Sequence, residues 1–168
     1  IEACVYPMLL SSEHPLASVR NPFNAVFVHG DAVDDVMFYG RGAGEFPTAS
    51  AVMGDIIDVI RDMVNGCTGR ISNTCYRELP VKKCRDIRSK FFLRMQVENR
   101  PGVLASIASV FGEHKVSINK VVQKIITDGM AEVVIVTDAV KEYHMQDAQE
   151  ELLRMPIVKE ISSVIREY

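Results

Sequence analysis

FFLRMQVENRPGVLASIASVFGEHKVSIN, residues 91–119, decides the fold of the larger part of this chain. KFFLRMQV (Lys90–Val97) alternates apolar and polar positions, as a half-buried strand does. Pro101 then opens a helix, since proline is favoured at the first helical position. Val103, Leu104, Ile107, Ala108 and Phe111 fall on one face of that helix, which stops near Gly112. VSINKVVQKII (Val116–Ile126) predicts a second strand. TDG (Thr127–Gly129) predicts a tight turn centred on Asp128-Gly129, and MAEVVIVT (Met130–Thr137) a third strand. A helix near Glu142–Arg154 would bury Tyr143, Met145, Ala148 and Leu152, and VKEISSVIREY (Val158–Tyr168) closes with a strand. The order β-α-β-β-α-β within residues 91–168 predicts a ferredoxin-like fold, a four-stranded antiparallel sheet with both helices on one face.

Upstream the chain has a different character. NAVFVHG (Asn24–Gly30) and DDVMFYG (Asp34–Gly40) are two β-rich runs with a Gly-Asp turn signal between them, which predicts an antiparallel hairpin. After FYGRGAGEF, Pro47 and Thr48 open a helix to about Val64, with Ala49, Val52, Ile56, Val59, Ile60 and Met63 as its buried stripe. Asn65-Gly66 supplies a left-handed stop. Residues 67–90 mix Gly, Ser, Asn and Pro with basic residues and read as an ordered connector. The expected class is α+β: a partial α/β unit in residues 1–66, the connector in 67–90, and the ferredoxin-like βαββαβ unit in 91–168.

The 168 residues are 48% hydrophobic and 24% charged, with a formal net charge of −3, an ordinary globular profile. The charge is uneven. Residues 1–66 carry 3 Lys or Arg against 9 Asp or Glu, residues 67–90 carry 7 against 2, and residues 91–168 carry 9 against 11. A basic connector between two acidic modules reads as a solvated face that docks on them, so no nucleic acid is expected. No run approaches the ~20 apolar residues of a membrane helix. IEACVYPMLL starts as though already inside a strand, which reads as a truncated chain. Cys4, Cys67, Cys75 and Cys84 form no C-x-x-C pair, which argues against a metal site and for reduced cytoplasmic thiols.

ENRPGVL (Glu98–Leu104) is the segment with binding chemistry. The first N–H groups of a helix lack internal partners and carry partial positive charge. Gly102 leaves that surface bare, so a carboxylate could rest on the amides of Gly102 to Leu104. Asn99 can both donate and accept, and Asn119 places a second amide in the next strand. The plainer alternative has Asn99 capping the helix and Asn119 facing solvent.

Residues 91–168, with ENRPGVLASIASVFGEHKVSINKVVQ as signature, resemble an ACT domain, the small regulatory module of enzymes of amino-acid metabolism. The resemblance implies paired copies, with an amino-acid effector held between the first strand–helix loop of one and a strand of its neighbour. In serine-sensing phosphoglycerate dehydrogenases, the asparagine two before Pro-Gly and one in the second strand hold the effector. Asn99 and Asn119 match them. A histidine that some of those enzymes carry two residues earlier is Val97 here, which argues against serine.

Residues 1–66 resemble the end of the catalytic region of homoserine dehydrogenases through HPLASV (His14–Val19), FNAVFVHGDAV (Phe23–Val33) and MFYGRGAGEFPTASAVMGDI (Met37–Ile56). CYRELPVKK and IRSKFFLRM are similar to the connector of the long bacterial form that ends in an ACT domain. The resemblance implies a cytoplasmic enzyme that reduces L-aspartate 4-semialdehyde to L-homoserine with NAD(P)H, in threonine and methionine biosynthesis. Its catalytic lysine, main phosphate loop and substrate-binding acids would lie outside residues 1–168. So no catalytic residue, no metal and no cofactor of its own is expected here, and the chain would be inactive alone. The resemblance further implies a homo-oligomer joined through ACT domains. Its effector, threonine by the family's habit, would sit on Asn99, Pro101, Gly102, Val103, Leu104 and Asn119. A dimerisation scaffold with an empty site is the alternative.

Gly40, Gly42 and Gly44 are spaced two and two, so GRGAGE is not a G-x-G-x-x-G fingerprint. It reads as a strand-to-helix corner needing positive φ. The resemblance places the Gly44 backbone near the nicotinamide, with Gly42, Ala43 and Thr48 beside it. His14, His29, His114 and His144 make no ligand pair, and His14 before Pro15 reads as structural. Glu142 with Asp147, and Asp34 with Asp35, read as solvated acids. Lys82, Lys83, Arg85 and Arg88 read as contacts to an acidic neighbour. A ferredoxin-like RNA binder would need aromatics on the central strands, and a soft-metal carrier would need C-x-x-C in the first loop, where ENRPG stands.

Overall fold

A computed structural model describes residues 1–67, 77–125 and 129–168. Asp128 of the expected turn, Cys75 and the middle of the connector lie outside them. The chain forms two compact units, residues 1–9 with 79–168, and residues 10–78. In chain order the elements are β1 (Met8–Leu9), β2 (Phe23–Gly30), β3 (Asp34–Arg41), α1 (Glu45–Val64), β4 (Arg88–Glu98), α2 (Val103–Glu113), β5 (Ile118–Ile125), β6 (Met130–Thr137), β7 (Val140–Lys141), α3 (Glu142–Arg154) and β8 (Val158–Glu167).

The larger unit has the expected ferredoxin-like order. Its sheet runs β8-β4-β6-β5, antiparallel throughout, with β1 added parallel to the outer edge of β8 and the short β7 pairing with the start of β4. Alternation in β4 turns Phe91, Leu93, Met95 and Val97 to one face. Ala131, Val133 and Ile135 of β6 join them, and Ile107 and Phe111 of α2 and Met145, Ala148 and Leu152 of α3 complete a single cluster. Both helices therefore cover the same face. Burying one such side chain is worth about 1.5–3 kcal/mol, which is what fixes the register of β4. A one-residue slip would turn the whole row to the other face. Thr137, fully buried, accepts from Phe91 N at 3.0 Å and donates to Asp138 O at 2.9 Å, so its hydroxyl costs little.

Several expectations need correction. Residues 1–7 are not a strand, and only Met8–Leu9 pair, with Arg166 and Glu167. Pro101 is not at the first helical position. Gly102, at φ 88, is the N-cap, because a left-handed residue cannot lie within the helix, so Pro101 precedes it. Glu142 is not a solvated acid: it is 8% exposed and paired through both carboxylate oxygens with Arg166.

In the smaller unit, β2 and β3 form the expected hairpin, with Gly30 opposite Asp34 and Phe23 opposite Arg41. Phe23 and Tyr39 stack at 4.8 Å, and the Arg41 guanidinium lies over Phe23. His14 is structural, as expected. Its Nδ1 accepts from Leu16 N at 3.1 Å and caps the turn at Pro15–Ser18, while its ring rests on Phe27 at 4.8 Å. α1 ends at the expected left-handed stop, Gly66 at φ 63. Its predicted buried stripe is wrong here: Val52, Ile56, Val59, Ile60 and Met63 are all exposed, and α1 buries none of its residues. A hairpin and one helix offer too little apolar surface to cover a helix of 20 residues.

Candidate functional site

Where β4 runs into α2 the sheet and helix open a cavity of about 380 Å3. Its rim is built by backbone geometry. Asn99 N donates to Gly129 O at 2.7 Å, and Glu98 N to Ile157 O at 2.9 Å, so the loop is pinned on two sides. Gly102 then turns left-handed, and a Cβ built on it would meet nothing within 4 Å. The glycine is required by the turn, and it also leaves the start of α2 uncovered. Val103 N is turned back to Arg100 O at 3.4 Å, and the other amides of the first turn have no intrahelical partner.

Five of the six residues expected to hold an effector line this cavity: Asn99, Pro101, Gly102, Val103 and Leu104. Asn119 is not among them. Its Nδ2 donates to Asp138 Oδ1 at 3.0 Å, beside Ser117 Oγ on Asp138 Oδ2 at 2.8 Å. These two bonds, Ser117 first, hold the Asp138 carboxyl below its ordinary range. Within one chain the two asparagines thus serve different places.

Three polar lining residues were missed by the sequence reading: Glu98, Arg100 and Gln123. Gln123 Nε2 donates to Asn99 Oδ1 at 3.3 Å. Gln123 stands opposite the buried Val133 of β6, a pairing between strands that the linear pattern does not mark. Glu98 and Arg100 flank Asn99 and bind each other at 2.8 Å, and Lys159 joins at 3.0 Å. Hydrogen bonds from Lys159 and Arg100 push the Glu98 carboxyl down, so it stays ionised at neutral pH. The cavity thus offers a helix start and a guanidinium to a carboxylate, and an ionised carboxylate to an ammonium. Val97 is 1% exposed and packs in the core beneath, where apolar burial is what its position demands.

The glycine corner resolves differently. Gly44 is the N-cap of α1 at φ 128, as expected of a turn needing positive φ. Gly42 needs space instead: a Cβ there would lie 1.8 Å from Asn24 Nδ2, and its N–H donates to Pro22 O at 3.0 Å. Thr48 N donates to Gly44 O at 3.1 Å as the first bond of the helix. Glu45 occupies the first turn, so the helix start already carries a carboxylate and suits a phosphate poorly. Ala43 lies between the two glycines. Local geometry accounts for both of them. Of the basic run, Lys82 pairs with Glu2 at 3.2 Å, Arg88 donates to Ala139 O at 2.8 Å, and Arg85 lies over Tyr143. No group of three metal-binding side chains occurs among the described residues, nor any helix long and apolar enough to cross a membrane.

Comparison with known proteins gives two family matches. Residues 1–57 match the homoserine dehydrogenase family and residues 91–154 the ACT domain family. The homoserine dehydrogenase of Corynebacterium glutamicum is 42% identical over 167 residues, covering 99% of this chain and 37% of the relative. That of Bacillus subtilis is 41% identical, covering 99% and 39%. A crystal structure of a homoserine dehydrogenase from Thiobacillus denitrificans superposes with a TM-score of 0.87 at 30% identity, over 99% of this chain and 39% of that one. The chain therefore spans less than two fifths of the length of the relatives it matches.

Proposed function

We propose that this chain, whose residues 1–57 match the homoserine dehydrogenase family and residues 91–154 the ACT domain family, is the regulatory end of an NAD(P)-dependent enzyme that reduces L-aspartate 4-semialdehyde to L-homoserine. In the whole protein, residues 1–66 complete the catalytic domain, residues 67–90 connect, and residues 91–168 sense an amino acid. The exposed apolar side chains of α1 are where the remainder of the catalytic domain packs. Gly42, Ala43, Gly44 and Thr48 present backbone to a nicotinamide cofactor whose phosphates are bound elsewhere. That cofactor supplies the hydride, and this chain's part is to position. The chain alone has no activity, and the enzyme is cytoplasmic.

The observation that carries the regulatory reading is the cavity at the start of α2. A small zwitterion fits its chemistry: the effector carboxylate on the amides of Gly102 and Leu104, against Val103 and with Arg100 near, and its ammonium toward Asn99 and Glu98. Threonine is the proposed effector. Asn119 of a second copy completes the seat when ACT domains pair, since Asn119 does not reach the seat of its own chain. Effector binding acts on activity only through a difference in affinity between two arrangements of the enzyme, and the connector is the element that links them.

Isothermal titration of the chain with threonine, serine, methionine and isoleucine tests this reading. Threonine is expected to bind, and Asn99→Ala to weaken it at least tenfold. Absence of binding by all four would leave the domain a dimerisation scaffold.

A further inference from the structure

Ile1 lies opposite Val81 in a local parallel contact. Ile1 N donates to Pro80 O at 2.7 Å and Lys82 N donates to Ile1 O at 2.8 Å. In a parallel pair, one residue bonded to the neighbours on both sides of another stands opposite it, so Ile1 faces Val81. Lys82 Nζ on Glu2 at 3.2 Å clamps the same register from outside. Cys4 and Cys84 stand three residues further along the two segments, and both line one cavity of about 400 Å3 with Tyr6, Ile87, Glu142 and Arg166. Both cysteines are exposed and both are free thiols. Burial, then the charge and thiol–thiol hydrogen bond of Cys84, push the Cys4 thiol up, so it rests protonated at neutral pH.

Beyond the activity proposed above, we infer that Cys4 and Cys84 are a redox modification site, a dithiol that closes to a disulfide with a low-molecular-weight disulfide such as oxidised glutathione. One protein thiolate attacks a glutathione sulfur, forming a mixed disulfide and releasing one glutathione thiolate. The second protein thiolate then attacks the protein sulfur of that mixed disulfide and expels the other glutathione. Two protein thiols lose two electrons and two protons, and one glutathione disulfide becomes two glutathione thiols. The bond would close a loop around residues 5–83, which contains the whole smaller unit, residues 10–78. It would fasten the segment that leads into that unit to the segment that returns from it. Such a staple restricts how far the two crossings can separate, which is where a regulatory signal has to pass.

The test equilibrates the chain in glutathione buffers of rising oxidised fraction, traps free thiols with iodoacetamide, and maps linked peptides by mass spectrometry. The expected product is a peptide carrying Cys4 joined to one carrying Cys84, reversed by dithiothreitol and absent from Cys4→Ser and Cys84→Ser. A Cys67→Ser/Cys75→Ser variant should form the link undiminished. Hydrogen exchange of residues 1–9 should slow at least tenfold in the oxidised wild type and not in Cys4→Ser. Links of Cys4 or Cys84 chiefly to Cys67 or Cys75, mixed glutathione adducts that never resolve, or thiols that stay fully alkylated would each overturn the inference.

Discussion

Asn119 and Asp138 are bound to each other at 3.0 Å across the ends of β5 and β6, and Asn119 takes no part in the cavity that Asn99 lines. One asparagine therefore anchors a strand end while the other guards a pocket, although the sequence presents them as a pair. Asn119→Ala removes the second of the two bonds that hold Asp138 down. The Asp138 carboxyl should rise toward its ordinary value of 3.8, which a carboxyl NMR titration would read. An unmoved value would mean that Ser117, at 2.8 Å, does the holding by itself.

Glu98 makes stability depend on acid. Lys159 and Arg100 lower its folded-state pKa below the unfolded value, near 4.5, so its contribution is present above that value and is lost as pH falls through the folded one. Urea midpoints measured from pH 6 to pH 2.5 should show an acid-side decline that is shallower in Glu98→Gln. Equal slopes in the two proteins would remove Glu98 from the account.

Arg166 pairs with the buried Glu142 while its guanidinium lies 4.2 Å over Tyr6 and 5.6 Å over Phe91. Removing one partner of such a pair leaves a carboxylate in a poor solvent. Arg166→Met should cost about 2–3 kcal/mol in urea unfolding, toward the low end for buried pairs because the arginine is partly exposed. Restoring neutrality with Glu142→Gln in the same chain should recover part of it.

Two glycines of α2 should respond with opposite sign. Gly102 sits at φ 88, so Gly102→Ala costs about 1–2 kcal/mol through backbone strain, although space is open around it. Gly112 lies inside the helix without positive φ and with nothing within 4 Å of an added Cβ. Gly112→Ala should stabilise by about 0.5–1 kcal/mol. Thermal unfolding of the two variants would read the contrast, and a loss of equal size in both would refute the φ argument.

The ferredoxin-like unit was legible because its signals are local and agree. β4 alternates, α2 repeats with helical spacing, and Gly129 closes the expected turn at positive φ. The cavity was half legible. ENRPG announced a bare helix start, but Gln123 arrives from β5, 24 positions away from Asn99, and pairing across strands leaves no mark in a linear pattern. The stripe on α1 was read correctly as amphipathic and wrongly as buried, because periodicity reports a face that wants a partner and says nothing of whether one is present.

The sequence alone settled strand and helix order and the apolar rows of β4 and β6, since each depends on side-chain period within a few residues. Tertiary structure alone decided that Glu142 is buried against Arg166, that the chain start lies along residues 80–82, and that Asn119 bonds to Asp138. Those outcomes rest on contacts between residues far apart in the chain, and their energy exists only once the sheet has brought the partners within a few ångströms.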